Sequence, residues 1–252
     1  MKITKDWEFG VLGLYNYNRP GPFETYFDFI RKNHKRMDGD FVEAGVFRGR
    51  SALALALFLK ELDSDKKVYG FDTFSGFVPE KNPKDDFENF NVLFREKRIT
   101  AEHHDEVKKN IAWREALLGQ SVTPKNISTS GDFSDTSLQN IQKKAKILGL
   151  DNLILMQGPF SETMTTSQKK PEKIMGVMLD CDLYDGYMQT FGFCWPRMVP
   201  GAMVFLDEYF SLKFPGARLA TDQFLSDKKE KPTLLSAHEG DFERWGIFKS
   251  AA

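Results

Sequence analysis

The chain has 252 residues, 41% of them hydrophobic and 28% charged, with a formal net charge of -1. That length suits one large α/β domain with a sizeable core, and the charge excludes a general attraction to nucleic acid or to an anionic membrane surface. The two cysteines, Cys181 and Cys194, are too few for a disulfide framework and read as reduced thiols of a cytoplasmic protein. The first residues carry no apolar signal core, and the longest apolar run, 52–59, is far too short to span a bilayer.

In chain order, residues 22–31 start with a proline and carry apolar residues at helical spacing, which predicts an amphipathic helix. A first strand is expected at 40–46, an Ala/Leu-rich helix at 51–62 and a second strand at 67–72. Residues 76–149 hold no clear strand and are rich in charge and aromatics; that is too long for a plain loop, so they are expected to form a helical insertion or lid. Within it His103 and His104 read as part of a solvated helix face, and 137–148 reads as a helix ended by Gly149. A third strand follows at 152–156. A fourth and a fifth end in acids, Val177-Met-Leu-Asp180-Cys-Asp182 and Val204-Phe-Leu-Asp207-Glu208. Between them come a helix at 186–198 and a turn at Pro200-Gly201. A helix at 217–225 and a hairpin built from 232–236 and 245–248 close the chain. Strand alternating with helix predicts a doubly wound, mostly parallel α/β sheet with an antiparallel edge strand. One domain over 1–252 is expected, with 1–39 as an N-terminal helical extension. The 23 phenylalanines read as core filling, with some lining a pocket.

The acidic strand ends are the strongest sign of chemistry. Neighbouring parallel strands lie about 5 Å apart, so acids ending both can reach one cation, and open α/β sheets bind ligands beyond the carboxyl ends of their strands. Oxygen ligands with no nearby His or Cys favour a hard divalent ion such as Mg2+. Asp180 and Asp182 alternate by two and would share a face if the strand runs that far, one as a ligand and the other as a base. A helix N-cap is the other reading of Asp182.

After the first strand, Glu43-Ala-Gly45-Val-Phe-Arg-Gly49-Arg-Ser51 opens a helix. It is neither a phosphate loop nor the dinucleotide G-x-G-x-x-G, and its glycines also fit mere strand–helix packing. The second strand ends in Asp72, placed to accept hydrogen bonds from ribose hydroxyls. Together they suggest a nucleoside-bearing cofactor without a phosphate cradle, which favours S-adenosylmethionine over NAD. Gln157 and Gly158 follow the third strand, where an adenine edge would lie.

Phe41-Val-Glu-Ala-Gly-Val-Phe-Arg-Gly-Arg-Ser51, Gly70-Phe-Asp-Thr-Phe-Ser-Gly-Phe77, Leu179-Asp-Cys-Asp-Leu-Tyr184 and Pro200-Gly-Ala-Met-Val-Phe-Leu-Asp-Glu-Tyr209, with Pro215-Gly-Ala-Arg-Leu-Ala220 after them, resemble the macrocin O-methyltransferase (TylF-type) family. The resemblance runs from about 40 to 225 in order and skips the middle. It implies a class I methyltransferase (Rossmann-like) fold, S-adenosylmethionine, a divalent metal and methylation of a sugar hydroxyl. Asp180, Asp207 and Glu208 match the metal-ligand positions, and Asp182 the position of a general base. Glu43, Gly45, Gly49, Ser51 and Asp72 match cofactor-binding segments. Glu208 departs from the aspartate more common in the family. The partner so implied is a small-molecule or sugar-bearing acceptor, with a homo-oligomer as the expected assembly. A metal-dependent methyltransferase of catechols or phenols, and a non-catalytic cofactor-binding protein of the same fold, are the alternatives.

Overall fold

A computed structural model describes residues 2–166, 169–237 and 242–251. Helices α1 (Asp6–Leu12) and α2 (Glu24–Asn33) precede β1 (Asp40–Ala44), α3 (Arg50–Glu61) and β2 (Val68–Asp72). The insertion holds a short 3-10 helix (Pro83–Asp85), α4 (Glu88–Arg95) and α5 (Ala101–Leu118), and α6 (Leu138–Leu148) then leads into β3 (Leu153–Gln157). After α7 (Phe160–Thr166) come β4 (Ile174–Leu179), α8 (Tyr184–Cys194), β5 (Met198–Leu206), α9 (Pro215–Phe224), β6 (Thr233–Ser236) and β7 (Arg244–Phe248). The sheet order is β3-β2-β1-β4-β5-β7-β6. The first five strands pair in parallel, while β7 is antiparallel to both β5 and β6. This is the class I, Rossmann-like methyltransferase arrangement that the motifs implied. The order reverses between β1 and β4, and the crevice beyond that switch point is where such sheets bind ligands.

Strand alternation sorts the core. Phe41, Met178 and Phe205 pack with α2, α3 and α6 on one face of the sheet. Val42, Val177 and Val204 pack with α8, α9 and the apolar residues of α4 and α5 on the other. β4 is buried at every position, as its unbroken apolar run requires between two helical layers. In α3, residues 51–59 are all buried, so Ala and Leu occupy every side of it. Phe27, Phe41, Phe71, Phe191, Phe205 and Phe214 are fully buried, which accounts for much of the phenylalanine content.

Three sequence expectations change. Pro200-Gly201 is not a turn before β5: the strand runs through it, and its pairing with β4 slips there. Proline has no N–H for a ladder, so it sits at an irregularity, and Gly201 supplies the positive φ of 82°. The helix expected at 186–198 begins at Tyr184 and ends at Cys194, followed by one 3-10 turn over Trp195–Arg197. His103 and His104 are buried rather than solvated. The Nε2 of His103 lies 2.9 Å from the Ser211 carbonyl oxygen and its ring stacks on Phe210. His104 Nε2 lies 2.7 Å from Asn91 Oδ1 and its ring stacks on Phe94.

Candidate active site

The acidic ends meet because the two strands stop at the same level. Leu179 pairs with Leu206, and the next residues are Asp180 and Asp207. The Asp180 N–H donates to Ala44 O at 3.0 Å, and the Asp207 N–H to Leu179 O at 3.1 Å. One carboxylate oxygen from each of Asp180, Asp207 and Glu208 lies within 4.8 Å of the others. Glu208 is held by Tyr187 of α8. The Tyr187 hydroxyl lies 3.2 Å from both Glu208 Oε2 and Leu179 O, and accepts the Glu208 N–H at 3.1 Å. Among the described residues, none of the three acids forms an ion pair within 4.0 Å. Burial, reinforced by the neighbouring carboxylates, holds the Asp180 and Glu208 carboxyls well above the usual carboxylate range. Three carboxylate oxygens this close, with no His or Cys among them, are a donor set that fits a hard divalent cation.

Asp182 is not on β4, which ends three residues earlier at Leu179. It is the central residue of a γ-turn: the Leu183 N–H donates to Cys181 O at 2.6 Å, and Asp182 has φ 63°. This turn is strained for a residue with a Cβ, and such strain concentrates at functional positions. Nor is Asp182 the cap of α8, whose N-cap is Leu183. Its carboxyl is buried and pushed up to about 7. Burial is the largest cause; the Lys213 ammonium opposes it, and Asp207, Asp72 and Asp85 add to it. A carboxylate poised near neutrality is suited to general-base work.

The loop after β1 forms the adjoining corner. Gly45, at φ 89°, donates its N–H to Phe71 O, and a Cβ there would sit 1.8 Å from Asp180 O. Glycine is therefore required for this loop to lie against the acidic end of β4. A Cβ on Gly49 (φ 75°) would meet Ile141 at 2.9 Å, so this glycine serves helix packing. Asp72 Oδ2 accepts the N–H groups of Val46 and Phe47, each at 2.8 Å, and its Oδ1 accepts that of Phe74 at 2.6 Å. About four lone-pair directions are available to a carboxylate, so one is left for a hydroxyl ligand. Gln157 pairs with Asp72 across the strands, and the Gly158 N–H donates to Asp72 O at 2.9 Å. Glu43 is 0% exposed and lies beneath the loop. It accepts the Ser51 hydroxyl at 2.7 Å, its Oε2 has no hydrogen-bond partner among the described residues, and burial pushes its carboxyl up to about 8.

The structure thus brings Gly45, Asp72, Gln157 and Gly158 to one corner and Asp180, Asp182, Asp207 and Glu208 to the next. Glu43, Gly49 and Ser51 stand behind them. Sequence reasoning missed Tyr187, Lys213 and Asp85. Of these only Tyr187 left a trace, being one helical turn into the helix that follows Asp182.

A family model described as a methyltransferase domain matches residues 42–209. The mycinamicin III 3''-O-methyltransferase of Micromonospora griseorubida is 27% identical over 189 residues, covering 74% of this chain and 60% of that protein. This chain therefore spans less than two thirds of that relative's length. Among solved structures, the O-methyltransferase NovP superposes with a TM-score of 0.62 at 17% identity, covering 90% of this chain and 80% of that one. The calicheamicin methyltransferase CalS11 gives 0.59 at 18% identity, covering 96% and 90%.

Proposed function

This chain belongs to the methyltransferase-domain family, and from that premise we propose that it is an S-adenosylmethionine-dependent O-methyltransferase acting on a sugar hydroxyl of a small molecule or natural product. The observation that carries the reading is the meeting of three carboxylates within 4.8 Å, beside a buried acid in a strained turn. The sugar acceptor is supported by the relative named as a mycinamicin methyltransferase and by the motifs shared with macrocin-type enzymes.

Asp72, Gly45, Gln157 and Gly158 would hold the cofactor's nucleoside, while Glu43 and Ser51 fix the loop from behind. S-adenosylmethionine supplies an activated methyl group on a sulfonium. The acceptor's task is harder, because an alcohol is a poor nucleophile until it loses its proton. Asp182 would take the acceptor hydroxyl's proton as that oxygen accepts the methyl group, the displacement the bound sulfonium would supply. Such help is typically about 10²–10⁴-fold, and orientation of the hydroxyl contributes as much again or more. Asp180, Asp207 and Glu208 would hold Mg2+ or another hard divalent ion, which would supply charge stabilisation for the developing alkoxide.

The test is methyl transfer from S-adenosylmethionine to a panel of free, nucleotide-linked and glycosidic sugars and of catechols, with and without EDTA. Turnover of a sugar, abolished by EDTA and restored by Mg2+, is expected. Turnover of catechols alone, or activity indifferent to EDTA, would overturn the acceptor or the metal respectively. Calorimetry with S-adenosylhomocysteine settles the cofactor separately.

A further inference from the structure

Asp85 lies near the start of the insertion, far in sequence from the acidic strand ends, yet it is only 6% exposed. Its Oδ1 accepts the backbone N–H of Tyr184, the first residue of α8, at 2.9 Å. That residue is two positions beyond Asp182. A carboxylate belongs at a helix N-terminus, where N–H groups lack intrahelical partners and the dipole is positive. The slot for it is built by an absence. An ideal Cβ on Gly216, in the first turn of α9, would lie 1.8 Å from Asp85 Oδ1. Gly216 has no positive φ to account for it, so it is small because the insertion's carboxylate occupies its side-chain space.

The neighbours reinforce the joint. Asn82 accepts the Lys84 N–H at 3.0 Å to start the 3-10 helix, and its amide donates to Asp185 Oδ1 at 2.9 Å. The Tyr184 hydroxyl donates to Gln223 of α9 at 2.7 Å. Residues 82–85, the start of α8 and α9 are therefore linked beside the γ-turn, with Asp85 and Tyr184 buried at the centre of the joint and Asn82, Asp185 and Gln223 at its rim.

We infer that Asp85 is a positioning residue: it seats the insertion on the N-terminus of α8 through the slot left by Gly216, and so fixes the turn that carries Asp182. The docking stands on geometry alone; its bearing on methyl transfer rests on the function proposed above.

Hydrogen exchange on the full chain tests the docking without any acceptor. Asp85→Ala leaves the Tyr184 N–H unpaired. Its exchange, and that of α4, should quicken about tenfold or more, the range for a bond to a charged acceptor, while α3 stays protected and S-adenosylhomocysteine binds as before. Asp85→Asn keeps an acceptor oxygen and should restore most of the protection. Gly216→Ala should mimic Asp85→Ala. The double variant should be no faster than Gly216→Ala alone, because both changes break one joint, although the added methyl still presses on Tyr184 Cβ at 2.9 Å. An unchanged Tyr184 amide in Asp85→Ala, or effects of the two variants that multiply, would overturn the inference. So would loss of protection throughout the chain including α3, which would assign Asp85 to general stability. Failure of the wild-type chain to bind S-adenosylhomocysteine would remove the methyltransferase reading and leave the exchange result standing.

Discussion

The acidic ends of β4 and β5 and the insertion at 76–149 are held in opposite ways. At the strand ends backbone register does the placing: Asp180 and Asp207 are side by side because Leu179 pairs with Leu206. The insertion shares no strand with the sheet and is seated by side chains, namely Asp85 on α8, His103 on the Ser211 carbonyl, and Arg98 on Asp222 through its Nε at 3.0 Å. Its far end is tied down too. Arg48 pairs with Asp135, the Thr136 hydroxyl donates to Phe47 O, and Phe133 packs on Phe47 and Phe77 at 5.2 Å each. Register is a collective property that no single substitution removes, whereas a side-chain seat can be lost one contact at a time.

The largest test of the contrast is at the strand ends. Asp182→Asn should lower kcat about 10²–10⁴-fold, with thermal stability kept or raised, because it removes a buried acid without a steric change. Steady-state rates beside a melting curve check this. Gly45→Ala puts a methyl 1.8 Å from the Asp180 carbonyl oxygen at a positive φ. Overpacking and backbone strain together should cost about 3 kcal/mol or more, read as a fall in the denaturation midpoint.

Glu43 sharpens the comparison through pH. Its carboxyl is raised to about 8 by burial, above the ordinary 4.5. The folded state thus keeps a proton that the unfolded chain has lost, so this group's contribution falls as pH rises from about 5 to 8, by up to about 1.4 kcal/mol per unit. In ligand-free protein, Glu43→Gln should flatten that decline in denaturant titrations. The smallest effect belongs to the insertion: His103→Ala removes one hydrogen bond and one ring stack, for about 1–2 kcal/mol. Proteolysis should report it within α5 and the 207–214 loop before the sheet loosens.

The same contrast explains what could be read from the sequence. Strand ends announce themselves, since an apolar run that breaks into acids carries both its fold and its chemistry in adjacent letters. The seven strands of the described residues were legible from their apolar runs, and Asp72, Asp180 and Asp207 as the acids that end three of them. Asp182 was legible as a residue but not as a shape: alternation predicted a strand position, and the γ-turn depends on where α8 starts. Asp85 was illegible because its partners, Tyr184 and Gly216, lie about 100 or more positions away. One is a backbone N–H and the other a missing side chain, and neither leaves a pattern. The two histidines misled because a charged helix is amphipathic only with respect to a neighbour that the sequence does not name.

The contact of Gly45 with the Asp180 carbonyl has a thermodynamic reach beyond packing. The two corners of the site share a wall made of main chain on both sides, with no rotamer between them to absorb a shift. A ligand that moves the β1 loop must move the end of β4, and the reverse holds with the same coupling free energy. With the proposed donor in one corner and the proposed acceptor in the other, each should change the other's affinity by one common factor.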